Sequence, residues 1–334
     1  MNHVRQVLDR YPADCQPLRV EPLGSAGGMS GAQFWRMEAP RGRLVLRRWP
    51  SEHPTPDGLR FIHSVLRHVY EEGLHIVPAP IAMADGATFI EYDDHLWELA
   101  PRLPGEADYE RSPRIEKLRA AMVALAQFHL ATADYKTASS ALGSAGGSPA
   151  ITRRLARIHE LQSGGIDVLA RSISNEVWPE LARLARQFLA ALPAAIPRAI
   201  AELAPLVGVA LPLQSVIRDI WHDHILFEGD TVTGLIDFGA LEIDTPAGDV
   251  ARLLGSLVGD DEVGWREGLV AYASVRRLSE PELAAVAAFD TSGTLLAGCN
   301  WIRWIYVDHR QFENRGQVLE RFRRIVTRLQ NQLP

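Results

Sequence analysis

Short alternating runs come first along the chain, and helical spacing takes over later. Residues 18–24 (LRVEPLG), 32–39 (AQFWRMEA) and 42–49 (GRLVLRRW) predict three strands near the N-terminus, because β-branched and aromatic positions recur there between turn residues. Over 57–73, Leu59, Ile62, Leu66 and Val69 fall at helical spacing and Gly73 marks a stop. TFIEY (88–92) and HLWELA (95–100) predict two more strands joined by a tight turn. After LPGEAD, from about residue 113, the period changes. Segments 114–132, 150–163, 176–191, 246–258, 280–308 and 315–331 carry apolar residues at i, i+3 and i+4, the stripe of an amphipathic helix. Within 214–237 two β-like runs, ILFEG and VTGLIDF, bracket a turn at Gly229–Asp230. SSALGSAGGSPA (139–150) reads as a loop of small residues, and no internal repeat is visible.

A small β-rich lobe with one helix, followed by a larger and mostly helical lobe carrying an isolated hairpin, predicts an α+β, bilobal arrangement with a cleft between the lobes. The expected boundary falls near residue 101, giving lobes 1–101 and 102–334. Composition narrows the class. At 47% hydrophobic and 23% charged, the chain can bury a core. Lysine and arginine total 35 against 41 acids, a net charge of -6 with no basic block, so neither nucleic acid nor an anionic membrane is an expected partner. Two cysteines, Cys15 and Cys299, form no disulfide framework and no CxxC pair, which fits a reducing cytoplasm. The first residues lack the apolar run of a signal peptide. The most apolar later stretch is interrupted by prolines, Arg198 and Glu202, and is not expected to span a bilayer.

Candidate chemistry begins at GSAGGMSGA (24–32), between two predicted strands. Gly27, Gly28 and Gly31 would let backbone N–H groups approach a phosphate, and Ser30 would add a hydroxyl. A flexible hairpin would use the same glycines. In the third strand, Val45-Leu46-Arg47 matches the kinase-type pattern of apolar residues followed by a cation that grips phosphates. Arg47 stands where lysine is usual and can take two phosphate oxygens at once. Alternation leaves open whether Arg47 or Arg48 points inward. The acid that normally partners this cation belongs in the following helix, whose middle is occupied by His63.

The stretch IRDIWHDHILFEGDTVTGLIDFG places Asp219 five residues before His224 and eighteen before Asp237. That is the kinase order: an aspartate that orients the acceptor hydroxyl and takes its proton, a metal-binding residue five positions on, and a hairpin leading to a metal-binding Asp-Phe-Gly. The block resembles the aminoglycoside phosphotransferase and choline kinase family of small-molecule kinases. IRDIWHDHILF corresponds to its His-Gly-Asp-x-His-x-x-Asn stretch, IDFG to its metal motif, and DTPAGDVA (244–251), with Asp249, to its Asp-Pro-Ala-x-Asp tail. WELAPRLPGE (97–106) is similar to the hinge, and LAQFH (125–129) to a helix of the larger lobe. The resemblance spans roughly 20–310 and implies a protein-kinase-like fold. It further implies ATP or GTP as donor, a divalent metal (Mg or Mn), and a small-molecule acceptor, with cationic molecules among the candidates. It implies adenine contacts from the backbone of Glu98, Leu99 and Ala100, a catalytic Asp219, and a metal held by Asp237 and His224.

This sequence departs from the pattern: Ile217 and Arg218 replace His-Gly, Arg47 replaces lysine, and His224 replaces asparagine. Imidazole suits softer ions than magnesium, so His224 implies a different metal, a metal carried nearly alone by Asp237, or a scaffold that no longer transfers phosphate. A zinc site on His222 and His224 is a further alternative. Asp260, Asp261 and Glu262 are candidates for meeting a cationic acceptor, or for capping a helix.

Overall fold

The computed structural model describes residues 2–24, 31–135, 145–312 and 314–333. In chain order its elements are α1 (Asn2–Leu8), β1 (Arg19–Gly24), β2 (Gln33–Ala39), β3 (Gly42–Arg48), α2 (Pro56–Glu71), β4 (Phe89–Tyr92), β5 (His95–Pro101) and α3 (Ile115–Thr132). There follow β6 (Ala145–Gly146), α4 (Pro149–Glu160), α5 (Ile166–Ser172), α6 (Pro179–Leu203), β7 (Leu211–Pro212) and β8 (Gln214–Val216). The chain continues through β9 (Ile225–Glu228), β10 (Thr231–Leu235), β11 (Glu242–Asp244), α7 (Ala247–Val258), α8 (Glu262–Ala273), α9 (Glu280–Tyr306) and α10 (Arg315–Asn331). These elements gather into two compact units, one of residues 1–135 with 219–241 and the other of 136–218 with 242–334.

The first unit is built on an antiparallel sheet in the order β1-β2-β3-β5-β4. Strand β3 shows why the sequence alternates. Leu44 and Leu46 are buried in a core with Met37, Trp97 and Leu99, so Val45 and Arg47 fall on the opposite face. Arg48 lies on the side of Leu46, with its guanidinium carbon 5.7 Å from the centre of the Trp97 ring. Period-two geometry therefore assigns the inward cation to Arg47. Helix α1, which sequence spacing did not reveal, supplies Val4, Val7 and Leu8 to the same core. Asp93 and Asp94, both at positive φ (54° and 58°), make the tight β4–β5 turn. Helix α2 starts where Thr55 accepts the Gly58 N–H (3.1 Å), a side-chain cap on an otherwise orphaned donor.

The β9–β10 hairpin joins this unit through Gly105, at φ 89°. A Cβ there would lie 2.3 Å from Thr233 Oγ1 and 2.7 Å from the Phe227 carbonyl oxygen, so only glycine admits the approach. Reciprocal backbone bonds between Glu106 and Phe227 (3.0 and 2.9 Å) fasten the contact. The ring of Phe128, from α3, packs 5.5 Å from that of Phe238.

The second unit is helical, with α6, α7 and α10 packed on α9. Helix α6 runs through Pro193 and Pro197 to Leu203, well past the 176–191 stretch that spacing predicts. By length and composition it is the one described helix able to cross a bilayer, yet Leu181, Ala185, Phe188, Leu192 and Leu203 are buried in the unit. Phe188 presses on α9 at Gly298, where an added Cβ would come 2.2 Å from its ring. Helix α8 was not legible in the sequence either. Asp261 caps it by accepting the Val263 N–H (3.0 Å), and Asp260 binds Arg328 and Asn331 at 2.8 and 2.9 Å. Capping and ion pairing thus account for two of the three candidate acceptor acids.

Candidate active site

Two separate segments of the first unit reach Asp237. Arg47 Nη2 donates to Asp237 Oδ1 at 3.3 Å, across 190 residues of sequence. His224 Nε2 lies 3.7 Å from Asp237 Oδ2. Asp237 sits at φ 62°, a left-handed conformation that an L-residue holds only where surrounding structure imposes it. Burial raises its carboxyl affinity for protons, but the charge of Arg47, that of His224 when protonated, the Arg47 hydrogen bond and the Gly239 N–H outweigh that, leaving it below the usual carboxylate range.

Arg47 is itself enclosed. Its guanidinium carbon stands 3.2 Å from the Trp49 ring centre and 5.1 Å from that of Phe34, a stacking that holds the fork flat. Its Nε is buried and has no hydrogen-bond partner. A buried donor left over on a permanently charged group fits an anion such as a phosphate oxygen.

The loop from 217 to 224 holds Asp219 outward between two buried anchors, Ile217 and Ile220. His222–His224 form a single 3-10 turn, not an extended segment, so the two histidines do not line one face as a strand would place them. His224 is committed on both nitrogens. The Trp221 indole N–H donates to His224 Nε2 (2.8 Å), and His224 Nδ1 lies 2.8 Å from the Asp219 carbonyl oxygen. An indole N–H can only donate, so this bond belongs to the neutral imidazole, with Nε2 accepting and Nδ1 carrying the hydrogen. His224 thereby braces the Asp219 backbone.

In the second unit, buried Asp249 accepts N–H bonds from Ile217 and Arg218, both at 2.6 Å. Arg218 holds φ 65° where the resembled family has glycine, and its side chain bonds Glu242. The glycine's backbone shape is retained although the glycine is not.

Gly31 retains a positive φ of 79°, whereas Gly27, Gly28 and Ser30 lie outside the described residues. Glu98, Leu99 and Ala100 lie in β5, and the Leu99 carbonyl accepts the Ile81 N–H (2.8 Å). Glu98 faces Arg47 in the β3–β5 register and bonds His63 on α2, Nε2 to Oε2 at 2.6 Å. Sequence reasoning missed this pair, and missed Trp49 and Trp221, because each contact depends on residues far apart or on a turn's local shape.

Among the described residues no three or more His, Cys, Asp or Glu side chains group as a metal cluster. The donor set fits a divalent cation taking one carboxylate, Asp237, with its remaining ligands from phosphate oxygens and water, which is how magnesium is commonly held in nucleotide sites.

The model of the phosphotransferase enzyme family matches residues 22–289. Homoserine kinase of Afipia carboxidovorans is 31% identical over 276 residues, covering 79% of this chain and 73% of that protein. An aminoglycoside phosphotransferase from Alicyclobacillus acidocaldarius superposes with a TM-score of 0.60 at 19% identity, over 98% of this chain and 92% of that one. A spectinomycin phosphotransferase solved with ADP and spectinomycin gives 0.67 at 10% identity, over 95% and 94%. The two structural likenesses show the shared protein-kinase-like, α+β fold.

Proposed function

The chain belongs to the phosphotransferase enzyme family, and from that premise we propose that it moves the γ-phosphoryl group of ATP to the hydroxyl of homoserine or a closely related hydroxy amino acid. That it is a nucleotide-dependent small-molecule phosphotransferase follows from the family and its named relatives. ATP over GTP and the acceptor are our own reading, the acceptor taken from what the 31%-identical relative is named for. The silent-scaffold alternative is motivated by Arg47, His224 and the missing helix acid; that the relatives named above are kinases or phosphotransferases supports transfer instead.

The observation carrying the reading is the convergence of Arg47, Asp237 and the His224-braced Asp219 loop in one compact unit. In this reading the acceptor oxygen bonds to the γ-phosphorus as the bond to the ADP oxygen breaks, and Asp219 receives the hydroxyl proton. Arg47 holds phosphate oxygens together with the Gly-rich turn, Gly27, Gly28, Ser30 and Gly31. The strand end at Glu98, Leu99 and Ala100 offers its backbone to the adenine. Asp237 would hold a divalent cation, which when bound neutralises phosphate charge. Residues 1–101 would serve the nucleotide, and the helical remainder the acceptor. Both cysteines are buried and free, in keeping with a reducing compartment, and we place the enzyme in the cytoplasm.

The test is acceptor-dependent ADP release with Mg²⁺–ATP, comparing L-homoserine, an amino alcohol and an aminoglycoside. Homoserine should exceed the others by about 100-fold or more in kcat/KM, as expected where a site's polar groups match one acceptor. Nucleotide binding with no transfer to any of the three would sink the acceptor assignment.

His224 would join Asp237 as a ligand only where Trp221 turns away and frees Nε2. Trp221→Phe removes the indole donor, so the variant should bind Mn²⁺ and Zn²⁺ about tenfold more tightly relative to Mg²⁺, the scale of outer-partner effects on metal sites. Calorimetric titration of each metal reads this directly. Equal affinities in variant and unaltered protein would rule out His224 as a ligand.

A further inference from the structure

In kinases of this fold the strand cation is held by an acid in the middle of the following helix, and here α2 offers His63 at that place. His63 is 3% exposed and committed on both ring nitrogens: Nε2 lies 2.6 Å from Glu98 Oε2, and Nδ1 lies 2.7 Å from Thr88 Oγ1. The Phe89 ring closes the site edge-on, 6.0 Å away. Glu98 in turn is the cross-strand neighbour of Arg47. The acid has thus moved from the helix to the adjoining strand, and the helix contributes the group that supports it. Imidazole, carboxylate, guanidinium and carboxylate follow one another from α2 through β5 and β3 to Asp237.

We propose that His63 is a positioning residue for the phosphate-binding cation: by hydrogen bonding Glu98 it fixes the carboxylate beside Arg47, and so fixes the guanidinium. This rests on Arg47 contacting nucleotide, as in the preceding section. A guanidinium that feels two anions is shared between them: Arg47 meets Asp237 at 3.3 Å and feels Glu98 through its charge across the strand pair. Among the described residues Asp237 is the acid within ion-pair distance of Arg47, and without the charge of an oriented Glu98 opposite, the guanidinium turns fully onto it. It then competes with the cation for that carboxylate and leaves the phosphates. Burial disfavours ionised Glu98, but the hydrogen bond and charge of His63, followed by the charge of Arg47, hold its carboxyl below the usual range. The Glu98 carboxylate is therefore an anion in the pair, not a neutral acid.

The experiment is calorimetric titration of Mg²⁺–ATP into the full chain and four variants, each with a thermal melt. His63→Leu should weaken nucleotide binding about 30-fold, the range for losing a hydrogen bond to a buried charge. The exchanged pair His63→Glu with Glu98→His restores the usual placement of the acid, and should recover to within about fivefold, a coupling that additive effects would not give. Thr88→Val and His63→Gln, which remove only one of the imidazole's two bonds, should each cost about threefold and guard against a misfolded His63→Leu. Lower melting temperatures with unchanged nucleotide affinity across all four would overturn the inference and make His63 a core residue. Failure of the unaltered protein to bind nucleotide would overturn both this and the proposed function. Binding that responds as expected, but without transfer to any acceptor, would defeat only the acceptor assignment.

Discussion

Replacing Asp219 with asparagine should lower turnover by about 10³-fold or more while leaving nucleotide affinity within about twofold, since a positioned general base contributes roughly 10²–10⁴. The side chain is exposed, so the isosteric change should alter stability by less than about 0.5 kcal/mol. The local frame should not notice it. Ile217 and Ile220 are buried on either side, and His224 bonds the Asp219 carbonyl oxygen, which the substitution preserves. Asparagine keeps the shape and loses the proton acceptor, so the loss should fall on the chemical step and not on binding. Single-turnover transfer from labelled ATP, alongside calorimetric titration of the same preparation, separates the two. Turnover within about threefold of the unaltered enzyme would remove Asp219 from the chemistry. A matching loss of nucleotide affinity would instead make it part of the binding site.

The second large effect concerns stability. Asp249→Ala should cost about 3 kcal/mol, because a buried carboxylate accepting the Ile217 and Arg218 N–H groups disappears and leaves two donors facing an apolar methyl. For a compact unit of this size that corresponds to roughly 6–12 °C in melting temperature. Asp249→Asn should be intermediate, since one oxygen still accepts while the amide N–H₂ opposes the second donor. Activity should fall further than stability explains. Arg218 holds φ 65° partly because its N–H is pinned, and released from that bond it would relax toward ordinary backbone geometry and turn the next residue, Asp219. Urea unfolding of both variants, with kcat measured under conditions where each is fully folded, checks the two claims. A cost below about 1 kcal/mol would mean that other groups hold this strand end.

Much of the first unit was legible in the sequence. Five strands, the helix α2 and the β9–β10 hairpin all leave local signals: alternation, turn residues, helical spacing closed by a glycine. The Asp219, His224 and Asp237 spacing was legible for the same reason, since a hairpin of fixed length separates the parts. Arg47 was half legible: alternation narrowed the cation to one of two arginines, and the burial of Leu44 and Leu46 decided between them. What stayed hidden depends on distant partners. Glu98 and His63 are 35 residues apart, and nothing local marks either as the other's complement. Helix α8 was missed because its acidic start and Gly264 and Gly268 blur the apolar stripe. The full length of α6 was missed because prolines were read as breaks, although 25 residues stay helical through both of them. The acids at 260 and 261 looked available for an acceptor until Arg328, Asn331 and the α8 N-terminus were seen to occupy them.

The locked imidazole of His224 bears on how the enzyme would be loaded in a living cell. Zinc and copper outrank magnesium for almost any nitrogen-containing site, so a bare histidine beside the carboxylate proposed to hold the cation would invite the wrong ion. With the indole N–H of Trp221 seated on Nε2, that nitrogen offers no lone pair to an arriving ion, and oxygen donors alone are left to choose. Trp221 would in this way protect the enzyme against mismetallation.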